Sequence, residues 1–235
     1  MNIITDTHVD EEGSTCFGYH SGYQSPSPPE VQLRILSESL GNFLGYEKSL
    51  ITPESPKNSE GWFIIPKWQC CAKTYPEAVN RVRKALGSTR DGKVYHYFGH
   101  NGLTDSRLRH SSKTAKAFDR LHQEQPDHDL LVVPAQFGLH HHGRSIRRAQ
   151  EIMRENEFGL GAFEVGIMLL THANRLNCCN DLWIDCAGDE YDDPDDELRF
   201  NRAPVFRFND QNLRFDSRPR DEAYALYGSA SGFLP

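Results

Sequence analysis

Three short apolar runs constrain this chain most, because each is continuous instead of alternating and each leads into an amphipathic stretch. Trp62-Phe63-Ile64-Ile65 precedes Thr74-Tyr75-Pro76-Glu77, a capping-box spacing with proline in the first turn, after which Val79, Val82 and Leu86 recur at helical spacing up to Gly87. Val94 to Phe98 precedes a helix that starts at Ser111 or Ser112, carries Ala115, Phe118 and Leu121 on one face and stops at Pro126. Leu130 to Val133 precedes a helix from Ser145, with Ile146, Ala149, Ile152 and Met153 inward and Arg147, Arg148, Glu151 and Arg154 outward. Strands apolar on both faces, in strand-then-helix order, predict an α/β fold: a largely parallel sheet with helices on both faces.

The remaining segments are read around that unit. Phe163 to Leu176 is apolar nearly all round, and its length favours a buried helix. Leu182-Trp183-Ile184 reads as a fourth strand ending at Asp185. Val205 to Phe208 and Leu213 to Asp216 flank Asn209-Asp210-Gln211-Asn212, which predicts a C-terminal antiparallel hairpin with Phe206, Phe208, Leu213 and Phe215 inside. Residues 1–60 are rich in Gly, Ser and Pro and hold one helical stretch, Glu30 to Leu40. They read as an extended, acidic N-terminal arm in front of a single domain over 61–235. Phe17, Tyr19, Tyr23, Phe43, Leu44 and Tyr46 are too many anchors for a solvated linker, so the arm is expected to lie along the domain or along a partner.

Composition narrows the function classes. With 37% hydrophobic, 11% aromatic and 25% charged residues among 235, the chain is polar but too aromatic to be disordered. Its longest apolar stretch, Phe163 to Leu170, is broken by Glu164 and falls well short of the ~20 residues a spanning helix needs. Residues 1–20 carry Asp6, Asp10, Glu11 and Glu12 in place of a basic, apolar leader, so no membrane partner and a cytoplasmic location are expected. Cys16, the vicinal pairs Cys70-Cys71 and Cys178-Cys179, and Cys186 lack the spacing of structural zinc sites; they are expected to be reduced and mostly buried. Net charge divides into −6 over residues 1–60, +6 over 61–160 and −7 over 161–235. A basic block between acidic flanks points to an anionic partner or to neutralisation within the fold, and the total of −7 argues against an extended nucleic-acid surface.

In a parallel α/β sheet ligands bind at the carboxyl ends of the strands. The residues that would converge there are Gln69, Cys70 and Cys71; Gly99, His100, Asn101 and Gly102; Gln136 to Ser145; and Asp185 to Glu190. His140-His141-His142-Gly143-Arg144-Ser145 opens a helix, so Gly143, Arg144 and Ser145 are candidate phosphate binders through loop amides and a guanidinium. His100, His142 and Asp185 are the acid/base candidates. His140 and His142, two residues apart, could hold a transition metal with His100 or Asp185. Cys70 or Cys71 is a conceivable nucleophile, and residues 189–197 read mostly as a solvated acidic loop.

Val132-Val133-Pro134 followed by Gly143-Arg144-Ser145-Ile146 and Ala149 resembles the strand, pyrophosphate loop and helix of the GCN5-related acetyltransferases, which implies acyl-coenzyme A on the loop amides. The resemblance is confined to residues 132–149, has His140 and Ser145 where the family has other residues, and assigns no family.

Three readings follow. The first is an α/β enzyme, or a binding domain derived from one, holding a phosphate-bearing small molecule or nucleotide at the strand ends. The second is acyl transfer from coenzyme A. The third is a non-enzymatic assembly protein, a homo-oligomer docking through its arm. Cofactor and metal stay open.

Overall fold

The computed structural model describes Glu11 and residues 18–90, 94–96 and 103–234, with backbone alone at 95 and 96. Two sheets form the scaffold, and neither is largely parallel. In the first, β1 (Gly61–Pro66), β4 (Leu130–Gln136), β11 (Ser231–Phe233) and β5 (Glu157–Gly159) lie in the order β1-β4-β11-β5, every neighbouring pair antiparallel. In the second, β10 (Tyr227–Ser229), β6 (Trp183–Asp185), β8 (Arg202–Asn209), β7 (Asp189–Tyr191) and β3 (Leu108–His110) follow one another, with β9 (Asn212–Pro219) on β8 and β2 (Val94–His96) on β9. Only β10/β6 and β2/β9 are parallel. The expectation of a largely parallel sheet is therefore wrong. The three apolar runs do become strands, but β1 and β4 pair antiparallel while β2 leaves for the other sheet. A continuous apolar run reports burial on both faces and carries nothing about direction.

The same burial has another source, the helix at the centre of the fold. In α5 (Ala162–Thr171) every residue is buried. Helices α1 (Pro29–Leu40) and α2 (Tyr75–Thr89) and strand β1 pack on it. Gly166 lets α2 approach: a Cβ there would stand 2.7 Å from a methyl of Val82 and 3.6 Å from the ring of Phe206 in β8. A helix that is apolar all round belongs inside, and its sheets can then be covered without parallel crossovers.

Residues 18–60 supply Tyr23, Leu36, Leu40 and Tyr46 to the core, whereas Leu44 is 77% exposed. This segment is tied down by polar contacts as well. Ser27 N–H donates to His172 Nε2 at 2.9 Å, Gln32 bonds both Trp62 and Ile64 of β1, and the Tyr19 hydroxyl donates to Glu60.

Local signals differ in outcome. Ser111 caps α3 (Ser112–Glu124) by accepting from Thr114 N–H at 3.3 Å, and Ser145 caps α4 (Ile146–Ile152) by accepting from Arg148 N–H at 3.0 Å. Thr74 makes no side-chain cap, Glu77 accepts from Lys73 N–H instead, and α2 runs past Gly87 to Thr89. β8 and β9 are joined through Asp210 and Gln211, both at positive φ, the geometry that fits the twist of a two-residue hairpin. Of the cysteines among the described residues, Cys71 and Cys186 are buried, Cys178 is half-buried and Cys70 and Cys179 are exposed, so burial is less general than expected. No helix among the described residues is long and apolar enough to cross a membrane.

Candidate functional site

The N-terminus of α5 leaves amide N–H groups that no helical carbonyl can satisfy, and here two buried carboxylates take them. Asp189 Oδ2 accepts from Ala162 N–H at 2.7 Å, and Glu164 Oε2 accepts from Gly161 N–H at 3.1 Å. The helix dipole favours negative charge at this end. Asp189 also accepts from the Tyr75 hydroxyl at 2.9 Å. Gly161 has no substitute at this crossing, because a Cβ would collide with the Tyr75 hydroxyl and the Asp189 carboxylate.

His110, the last residue of β3, faces both acids. Its Nε2 lies 3.3 Å from Glu164 Oε2 and 3.8 Å from Asp189 Oδ1, and the side chain is only 10% exposed. Tyr75 and Phe118 hold the imidazole, with ring centroids at 4.1 and 5.5 Å and the Phe118 ring stacked on it. Burial pulls the imidazole pKa down, but Glu164 and Asp189 outweigh it and the net direction is up. Burial pushes Asp189 up to about 7 even though His110 opposes the rise. The His110 imidazole and the Asp189 carboxyl thus both hold a proton to higher pH than they ordinarily would.

His110 and Tyr75 of this cluster line a pocket of about 480 Å³. Trp68, Tyr75 and Phe118 give it an aromatic lining, and Lys73 and Arg109 are matched there by Asp105 and Asp119. Arg109 is further engaged by Glu190 at 2.9 Å and by the ring of Phe200, whose centroid is 3.7 Å from the guanidinium carbon. A dry imidazole backed by carboxylates and open to a pocket on one side is the arrangement a general acid or base needs.

The residues chosen from the sequence lie elsewhere. His100 falls outside the described residues, as do Gly99, Asn101 and Gly102. His142 is half-buried, and its backbone bridges to Gly228 of β10. Asp185 pairs with Ser229 across β10/β6, so β10 runs between His142 and Asp185. Asp185 is wholly buried, with Arg218 Nε at 3.6 Å, and burial raises it to about 6. Gly143 N–H donates to Tyr227 O at 2.8 Å, Arg144 bonds His140 O at 2.9 Å and Glu11 at 3.3 Å, and Ser145 is the buried cap of α4. Cys71 is pushed up to about 11 by burial, away from thiolate chemistry, and Cys70 is raised by burial and by Asp129.

His110, Glu164 and Tyr75 were not singled out as site residues. Glu164 carried a signal, since a lone carboxylate in an otherwise apolar helix needs a buried partner. Asp189 belongs both to the residues expected after the fourth strand and to the acidic run 189–197, and it is wholly buried while Asp195, Asp196 and Glu197 are exposed or half-exposed.

Near the first sheet a second group gathers. His141 Nε2 is 2.7 Å from Glu157 Oε1, both side chains being almost wholly buried, and the His140 and His141 rings are 4.5 Å apart. Burial raises Glu157, but the bonds from His141 and Ser231 turn the net direction down.

No protein-family model, characterised protein or solved structure matches this chain, and the run at 132–149 stays a local resemblance.

Proposed function

We propose that this chain is an enzyme acting by general acid/base catalysis in the pocket above His110. The observation that carries the reading is one histidine, nearly dry, that faces two buried carboxylates and itself lines a pocket large enough for a small organic molecule. His110 moves the proton. Glu164 and Asp189 orient the ring and stabilise the imidazolium, and α5 amides and Tyr75 hold the carboxylates in turn. The matched charges of Lys73, Arg109, Asp105 and Asp119 favour a neutral or zwitterionic substrate, and Trp68, Tyr75 and Phe118 favour a flat apolar body. The phosphate-binding reading rests on Gly143, Arg144 and Ser145, whose amide, guanidinium and hydroxyl already have partners within the chain.

The test is a screen of small neutral and zwitterionic aromatic molecules, followed by the side-chain resonances of ¹⁵N-labelled histidine. Molecules that bind should shift His110 and lose binding in Ala115→Trp, which fills the pocket. Turnover of any that react should fall about 10²- to 10⁴-fold in His110→Gln. Binders that leave the His110 resonances unmoved, or that bind Ala115→Trp equally well, would place the site elsewhere.

A further inference from the structure

We propose that His140, His141 and Glu157 form a second site, one that binds a divalent transition-metal ion of the zinc class. One candidate atom of each lies within 4.8 Å of the other two, His140 and His141 being the ligands and Glu157 the acceptor that orients His141. None of the three lines the pocket above His110. His141 and Glu157 are buried and His140 is half-buried, which leaves one side from which an ion can enter.

The tautomer of His141 makes the case. Its Nε2 donates to Glu157 Oε1 at 2.7 Å. A neutral imidazole with its proton on Nε2 keeps a bare lone pair on Nδ1. That atom is buried and has no hydrogen-bond partner. A buried acceptor facing no donor is costly as a structural feature, and it is the form in which imidazole binds a metal. Metal-bound histidines characteristically give their other N–H to a carboxylate, which fixes the ring and adds negative charge. Glu157 stands in that position.

The support around it is built in depth. Ser231 Oγ donates to Glu157 Oε1 at 2.6 Å, and Gln136 Nε2 donates to Ser231 Oγ at 2.9 Å and to Ser229 O at 2.8 Å. The other end of the Gln136 amide accepts from Gly138 and His140 N–H, which shapes the turn that brings His140 beside His141. Gly138 sits at φ 128° against the backbone of Gly228, a place no side chain could take. Two imidazoles, one of them backed by a carboxylate, select zinc, cobalt or nickel over magnesium or calcium, which prefer oxygen alone.

The experiment is calorimetric titration of the chelator-treated full chain with zinc chloride, repeated with cobalt and read by visible absorption. One ion per chain should bind, and the cobalt spectrum should lack thiolate charge-transfer bands. Affinity should fall about tenfold or more in both His140→Ala and Glu157→Gln and stay unchanged in His142→Ala. His140 is half-buried, so its variant tests the site even if Glu157→Gln does not fold. No heat at ~1 mM zinc, equal affinity in wild type and His140→Ala, or a thiolate spectrum would each overturn the proposal.

Discussion

Among the described residues two histidines are buried against carboxylates, and their surroundings give them opposite characters. His110 faces two acids that also cap the most buried helix, and its other side opens to a pocket. His141 faces one acid, held by Ser231 and Gln136 in a chain of side-chain hydrogen bonds, with a second histidine beside it. At the first, burial outweighs the attraction of His110 and Asp189 rises to about 7. At the second, the lone carboxylate is well satisfied and Glu157 is held below its ordinary range. The balance between burial and the hydrogen bonds each carboxylate accepts sets which way it shifts.

The largest effect should come from removing the acid that joins helix cap, tyrosine and histidine. Asp189→Ala leaves the Ala162 N–H and the Tyr75 hydroxyl without their acceptor inside the protein and takes away one of the two charges facing His110. Breaking a buried charge pair of this kind costs about 3–5 kcal/mol, readable by urea denaturation. Asp189→Asn, which keeps an acceptor, should cost less. A loss below about 1 kcal/mol for Asp189→Ala would mean that water already serves these groups, and the contrast with His141 would collapse.

The two sites should also answer pH with opposite sign. Asp189 titrates near 3.8 when unfolded and at about 7 when folded, so between those values the folded state holds the extra proton and stability falls as pH rises. His110, raised above 6.5, adds to the same trend: its contribution is complete below 6.5 and is lost as pH climbs through its folded value. Glu157 is lowered from 4.5, so its contribution is present above 4.5 and is lost as pH falls through its folded value. Melting temperature measured from pH 3 to 9 should therefore lose part of its decline from acid toward neutral pH in Asp189→Asn and part of its acid decline in Glu157→Gln. Variants that flatten the opposite limbs would assign the protons the other way round.

What the sequence made legible follows from what its patterns encode. Helical spacing at Val79, Val82 and Leu86 and the serine caps at 111 and 145 are local, and the elements form where those signals stand. Strand direction is not local. Residues 63–65 and 130–133 are buried throughout, the first of them against α5, and nothing in either run distinguishes an antiparallel partner from a parallel one. Once direction was misread, the strand-end rule led to Gly143 and Asp185 and away from His110. Short strands such as Ser231–Phe233, two of whose residues are Ser and Gly, carry almost no pattern, yet this one joins β4 to β5. The candidate site brings together residues 75, 110, 164 and 189, and only Asp189, among the residues after the fourth strand, and the charge of Glu164 within an apolar helix hinted at it.

The smallest effect expected is at Arg144, and it bears on which region binds ligand. The guanidinium spans His140 O and Glu11, and its side chain is 27% exposed against 47% for Glu11. Exposed pairs of this kind contribute about 0–1 kcal/mol, so Arg144→Ala should change unfolding free energy by no more than about 0.5 kcal/mol. Added phosphate should then stabilise wild type and variant alike, because Gly143 N–H is committed to Tyr227 O and Ser145 to the cap of α4. Phosphate that raises the melting temperature of wild type but not of Arg144→Ala would mean that the loop exchanges its internal bonds for an anion. The binding function would then move from the aromatic pocket to the loop beside His140, and the acid/base role of His110 would have to be argued without a substrate above it.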